Sequence, residues 1–417
     1  MTIKYTAALL LCLLAQLLPA ADPDPDAALA AARSGGDYLL RTIQPDGEFT
    51  YRYDPYENSA TDTYNWLRHA GTVAALCQLA AATDDPRYLG AADTAAACLA
   101  RQIKPITLGD QRLHALISDP ARTRINRATG PVVKAGGNAL AIFALDSVDR
   151  AHDGQSPYGP VIQNLGAYLL AARDATGTPR SKYVVSLGRF DSWKSSYYPG
   201  QCLLAFAILQ ERAPDARWRA AMHRLAATKL QDIEAQLASP MLRDGQAAPS
   251  QGFDHWTMIG MARALPLLDP ERLSSTERVV TREIIVQALV AYGAQEVRQQ
   301  ITDGDPAVLG SFALNPGGTV SAAIRIEGLL AIRAAATTAA ADHPSDRLTR
   351  LAAVTHSWDP AIARSRGLLS RSQYTTTPAG DLDITGGLRA AVPITPRTAP
   401  IQIDYVQHAI SAWLTPY

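Results

Sequence analysis

Cysteine is scarce in this chain, with 4 in 417 residues. Cys12 lies in an N-terminal apolar run, which leaves Cys77, Cys98 and Cys202, and no two of them have metal-ligand spacing. Without a Cys-x-x-Cys pair a structural zinc site is excluded, and no metal or cofactor is expected. Charge of one sign is missing as well: 39 basic and 39 acidic residues leave a formal net charge of zero, with no basic or acidic run. Binding to nucleic acid or to a membrane surface through charge is therefore excluded. The glycine loops that cradle phosphates or dinucleotides are absent, as is Gly-x-Ser-x-Gly. The one apolar run near the N-terminus, Ala7 to Leu18, is too short to span a bilayer.

Alanine is abundant. Hydrophobic residues make up 47% of the chain, and alanine supplies much of that share. Alanine costs least in a helix and lets helices pack closely, so the composition leans all-α. Lys4, the apolar run and the small residues Pro19-Ala20-Ala21 have the layout of a cleavable secretory leader over residues 1–21. The expectation is one mature domain over 22–417 in the periplasm or outside the cell, with no membrane span after cleavage.

Apolar residues recur at i, i+3, i+4 and i+7 in twelve segments. The predicted helices are Ala27–Ile43, Asn65–Ala82, Arg87–Ile103, Val133–Arg150, Tyr158–Arg173 and Gly200–Glu211. The series continues with Arg217–Leu237, Asp254–Leu268, Ser275–Gln300, Thr319–Ala340, Ser345–Ser370 and Asp404–Leu414. Asp84-Asp85-Pro86 and Ala213-Pro214-Asp215 supply caps. Every second helix opens on aromatic, charged or glycine residues, about 55–85 residues apart. The openings are Tyr64 to His69, Val133 to Asn138, Tyr197 to Gln201, Phe253 to Trp256, Gly317 to Thr319 and Ile403 to His408. Long connections precede these helices and short ones follow them, so the openings and long loops should share one rim. Within the loops, Asp46 to Tyr53 and Tyr183 to Leu187 alternate like short hairpins. Cys77 and Cys98 fall on adjacent predicted helices and are either a disulfide or two small buried side chains.

This pattern resembles the (α/α)6 toroid of carbohydrate-active enzymes: six-hairpin glycosidases, unsaturated uronyl hydrolases, polysaccharide lyases and sugar epimerases. The resemblance rests on Arg68-His69-Ala70-Gly71-Thr72, Gly136 to Ala141, Tyr197-Tyr198-Pro199-Gly200-Gln201 and Asp254-His255-Trp256, and it spans nearly the whole mature chain. It is a likeness of architecture, and no single family's catalytic motif is matched. It implies an all-α barrel and a class of function rather than one activity. Other toroid chemistries fit less well. Asp381-Leu382-Asp383 falls short of the aspartate motif of terpene cyclisation, and Cys202 with His255 is an incomplete zinc set.

Six converging helix N-termini favour anionic or hydroxyl-rich ligands. Among the carboxylates, Asp254 is the first catalytic candidate, with Asp404, Asp191 and Asp46 as partners. Arg68, His69, Trp66, Lys134, Asn138, Tyr197, Tyr198, His255, Trp256 and His408 are the expected substrate-binding residues, the aromatics because sugar rings stack on flat faces. Each has an ordinary reading beside the functional one. Asp254 and Asp404 begin helices and serve equally as N-caps; His408, four residues beyond Asp404, suits an intrahelical hydrogen bond; the aromatics suit core packing. The leading reading is an exported enzyme acting on an oligo- or polysaccharide, acidic or neutral, by hydrolysis, elimination or epimerisation. The alternatives are a non-catalytic glycan- or protein-binding toroid in the cell envelope and a cyclase or transferase acting on a lipid-linked substrate.

Overall fold

The computed structural model describes residues 25–119, 122, 130–238, 253–274, 279–376 and 382–414. The expected leader, most of the loop at 238–252 and Asp381 lie outside the described residues. The first half of the chain holds helices α1 (Pro25–Thr42), α2 (Trp66–Thr83), α3 (Pro86–Arg101), α4 (Ala135–Ala151), α5 (Gly159–Ala171) and α6 (Tyr198–Arg212). The second half holds α7 (Ala216–Ala238), α8 (His255–Ala264), α9 (Arg282–Val297), α10 (Thr319–Asp342), α11 (Asp346–His356), α12 (Asp359–Ser372) and α13 (Ile403–Trp413).

The helices predicted to open on polar residues form a closed inner ring. Helix α2 packs on α4, α4 on α6, α6 on α8, α8 on α10 and α10 on α13, and α13 returns to α2. Around it, α3 lies against α2, α5 against α4, α7 against α6, α9, α11 and α12 against α10, and α1 against α13. This is the (α/α)6 toroid. Among the described residues no helix is long and apolar enough to cross a membrane.

Capping fixes the helix starts. The Asp85 and Asp215 side chains accept the Arg87 and Arg217 backbone N–H groups, as their positions in the sequence suggested. Three boundaries differ from expectation. The segment expected as one helix over 345–370 breaks after His356 and restarts at Asp359-Pro360. The segment expected over 254–268 leaves α geometry at Ala264, and Leu265-Pro266-Leu267 forms a 3-10 turn. Thr281 caps α9, which starts seven positions later than the pattern alone indicated.

The rim where the inner helices begin is crowned by strands. Strands β1 (Arg52–Asp54), β2 (Ser59–Ala60), β3 (Ile103–Leu108), β4 (Gln111–Ser118), β5 (Val132–Lys134), β6 (Lys182–Val184), β7 (Arg189–Phe190) and β8 (Ile401–Gln402) form two antiparallel sheets in the orders β2-β1-β8 and β3-β4-β5-β6-β7. Of the two expected hairpins, Asp46 to Tyr53 instead makes a turn closed by an Ile43–Phe49 bridge, after which β1 pairs with β2 and β8. Near Tyr183 the hairpin is real, formed by β6 with β7. Strand β5 runs straight into α4, and β8 into α13. Cys77, Cys98 and Cys202 are free and buried, so the disulfide reading is overturned.

Small residues let the ring close. A Cβ on Gly200 would lie 2.4 Å from the Thr257 nitrogen and 2.7 Å from the Trp256 carbonyl carbon, and one on Gly260 would lie 2.7 Å from the Gly200 oxygen. Backbone cannot give way as a flexible side chain can. Gly200→Ala is therefore expected to cost about 1–3 kcal/mol, read as a lowered midpoint in chemical denaturation, and an unchanged midpoint would remove this account of the α6–α8 seam.

Candidate active site at the inner-helix rim

Ring closure brings the two ends of the fold together. On the first turn of α2, Arg68 Nε lies 3.0 Å from Asp404 on the first turn of α13. The guanidinium also donates to the Tyr51 hydroxyl, and Gln402 Nε2 donates to Asp404 at 2.6 Å. Burial opposes the charge on Arg68, but Asp404 and Tyr51 outweigh it and hold the group firmly protonated. Burial pushes the Tyr51 hydroxyl up to about 12.

Deeper in the bore are His255, Glu327 and His408, all buried. Glu327 lies eight residues into α10, about 12 Å along the helix from its start. His408 Nδ1 is 2.7 Å from Glu327 Oε2, whereas His255 Nε2 is 3.9 Å from the same oxygen. Neither ring nitrogen of His255 has a hydrogen-bond partner among the described residues. The two imidazoles meet edge to face, with ring centroids 5.3 Å apart. Burial works against charging His408, but the charge and hydrogen bond of Glu327 more than offset it, so its pKa is raised above 6.5. His255 is driven well below 6.5, first by burial and then by His408 and Arg325. The two histidines are thus pushed in opposite directions, His408 toward the charged form and His255 toward the neutral one. Tyr197 and Trp256 complete the surround, with rings 6.3 and 4.8 Å from that of His255.

The remaining expected residues divide between bore and wall. Asp254 caps α8, accepting the Thr257 N–H at 3.2 Å and hydroxyl at 2.5 Å. Burial raises its carboxyl to about 6, against the pull of Lys229 and these hydrogen bonds. Asp191 pairs with Lys182 at 2.6 Å, and Trp193 stands beside that pair. Tyr198 is buried, edge-on to Trp193 at 5.7 Å, and Tyr197 is exposed. Lys134 lies at the start of α4, part-buried, with no partner among the described residues.

Four expected residues occupy other places. His69 is enclosed in the wall, with Nδ1 2.7 Å from the Tyr64 hydroxyl and Nε2 2.9 Å from the Ala95 carbonyl. Trp66 packs in the core on Tyr64 and His69. Asn138 is spent on the backbone of Leu116 and Lys134. Asp46 is exposed and accepts the Glu48 N–H of its own turn. Sequence reasoning missed Glu327, Tyr51 and Gln402. Glu327 had a signal: it is an acid in the apolar stretch Ile326 to Ile332 of an inner helix, where burial demands a partner.

Among the described residues, His255, Glu327 and His408 also form a cluster whose potential metal-ligand atoms lie within 4.8 Å of one another. The direct 2.7 Å His408–Glu327 contact would have to open to admit an ion. A cavity of about 530 Å³ lies at the far end of the ring, where the inner helices finish. Of its charged residues, Asp146, Arg150, Glu211 and Arg263 are tied to one another and Arg282 donates to the Leu265 and Leu268 carbonyls, while Asp342 and His343 also line it. The groups poised for chemistry therefore sit at the rim end.

No family model matches the chain, and no curated protein does. Solved structures do match. Cellobiose 2-epimerase from Spirochaeta thermophila is 16% identical, with 93% of this chain and 94% of that one covered at a TM-score of 0.55. A D-mannose isomerase is 12% identical over 95% and 97% of the two chains, with a TM-score of 0.56. The GH76 α-mannanase of Bacteroides thetaiotaomicron is 11% identical over 94% and 97%, with a TM-score of 0.60. At these identities the likeness establishes the toroid, and this chain's own residues must argue the chemistry.

His69 should behave as a wall residue. Burial lowers its pKa to about 4, so the folded state resists protonation while the unfolded chain takes a proton below 6.5. Its contribution is intact above pH 6.5 and falls by about 3 kcal/mol as pH drops toward 4. His69→Gln should cost about 1–3 kcal/mol at pH 7 and flatten that acid limb in denaturation curves. An unchanged acid limb would refute the assignment.

Proposed function

We propose that this protein is a carbohydrate-active enzyme that moves a proton at the carbon beside a sugar's carbonyl, as a 2-epimerase or aldose–ketose isomerase does. The observation that carries this reading is the split histidine pair. A neutral base beside a protonated acid is what transfer at a carbon acid requires. In an open-chain aldose, neutral His255 takes the C2 proton, the C2–H bonding pair moves into the C1–C2 bond, and the C1=O π pair moves onto the carbonyl oxygen to give an enediolate. Protonated His408 then returns a proton to C2 and becomes neutral; for the opposite face to receive it, C2 must enter between two rings that meet edge to face in the free protein. The oxygen pair re-forms C1=O as the new C2–H bond completes inversion, and the cycle closes when His255 gives its proton to water and His408 takes one up. Arg68 and Arg325, whose charges reach His408 and His255 respectively, favour the anionic intermediate.

Hydrolysis is less well supported. It needs a working pair of carboxyls across the bond, yet Asp404 is held by Arg68 and Gln402, Asp191 by Lys182, and Asp254 by Thr257. The names of the similar structures span both chemistries, with epimerase and isomerase on one side and mannanase on the other. Export through the residues 1–21 leader is part of the proposal, and the substrate would then be met in the periplasm or outside the cell.

Incubation with a panel of aldoses in D2O should incorporate one deuterium at C2, followed by proton NMR, and release no new reducing ends. His255→Asn and His408→Asn should each lower the exchange rate roughly 10²–10⁴-fold. The rate should be highest between the two histidines' pKa values. It should fall on the alkaline side as His408 loses its proton above 6.5, and on the acid side as His255 gains one well below 6.5. Glu327→Gln should move the alkaline limb to lower pH. Reducing ends without deuterium at C2 would replace this reading with hydrolysis.

A further inference from the structure

Most cations around the bore are already matched. Arg68 has Asp404 at 3.0 Å, Lys182 has Asp191 at 2.6 Å, and Arg325 has Glu296 at 3.0 Å. Lys104 and Lys194 are exposed, where water suffices. Lys134 differs from all of these, being part-buried without a hydrogen-bond or ion-pair partner among the described residues. It stands directly across the β5–β6 pairing from Lys182, so the two side chains emerge on one face. Like charges set opposite one another in a sheet destabilise it unless something negative lies between them. Asp191 answers Lys182 and leaves Lys134 unanswered. Burial first, then Lys182 and Arg68, lowers the Lys134 amine to about 8, so it remains mostly charged at neutral pH.

Two further observations tie this charge to a ligand. Trp193 and Tyr197 are 48% and 39% exposed, flat faces left open on the same rim. Lys182 Nζ lies 5.8 Å from the Trp193 ring, and Tyr197 touches His255. Arg68 is close enough to act on both Lys134 and His408, so it stands between the unanswered cation and the histidine pair at the same end of the ring. Asp404, Tyr51 and Tyr405 are the other titratable groups around Arg68, and the carboxylate is already paired.

We infer that the substrate is a sugar bearing an anionic group, a carboxylate or a phosphate, which Lys134 receives while the aromatic faces hold the ring. This rests on the rim being the sugar site, but not on which reaction occurs there. Lys134 makes no side-chain capping bond to α4, so replacing it removes no helix cap.

Amine labelling of Lys134, located by peptide mass mapping at constant ionic strength, reads the site without turnover. D-glucuronate or D-glucose 6-phosphate should slow labelling at Lys134 about tenfold and leave exposed Lys104 alone, and D-glucose should protect neither. Which of the two sugars protects identifies the anionic group. Calorimetric affinity for the protecting sugar should fall roughly ten- to a hundredfold in Lys134→Met, as for loss of a charged hydrogen bond, and recover in Lys134→Arg. The inference is overturned if neither sugar anion protects, if inorganic sulfate protects but the sugar anions do not, or if D-glucose protects equally. It is also overturned if Lys134→Met binds as well as the parent. Protection without deuterium exchange would remove the proposed reaction and leave this site standing.

Discussion

Everything at the rim depends on closure of the inner ring. A helix from the chain's end must pack beside one from its beginning, and the approach is close: a Cβ on Gly71 of α2 would sit 2.5 Å from Gln407 of α13. Closure costs the entropy of joining distant segments, offset by burial of an apolar wall of alanine, leucine and isoleucine. What it delivers is convergence. Arg68 and Asp404, 336 positions apart, become partners at 3.0 Å, and His255, Glu327 and His408 reach one bore from three helices.

Inside that bore, the low dielectric makes each charge placement matter. Glu327 contacts one histidine and stands just beyond hydrogen-bond reach of the other, and that difference gives two identical side chains opposite charge states. Burial alone would push both toward neutrality. The carboxylate reverses the outcome for His408 only. His255, with neither ring nitrogen satisfied, carries a desolvation cost that packing does not explain. A reacting ligand that hydrogen-bonds to it would remove that cost.

Much of the fold was legible in the sequence because it is written locally. The 3.6-residue period, the Asp-Pro starts and the alternation of loop length placed the inner helices and their common rim. The breaks at Ser357 and Pro266 were harder, because apolar spacing continues through them and only the prolines interrupt it. The β3–β4 hairpin had a signal in Gly109-Asp110 between two alternating runs, with Gly109 at φ 58°. The candidate site was half legible. Openings located His255, His408 and Arg68, but Glu327 lies two turns inside a helix, where a first-turn criterion cannot find it. His69 illustrates the opposite error: an opening residue can point into the wall, and sequence position does not reveal which way.

The central claim is that one buried carboxylate sets the two histidines to different charge states. Selective ¹⁵N labelling of histidine, with the resonances of His255 and His408 followed by NMR from pH 4 to 9, tests it directly. The account predicts His408 titrating above 6.5 and His255 remaining neutral well below it. Two histidines titrating together near 6.5, or His255 as the more basic of the pair, would contradict it.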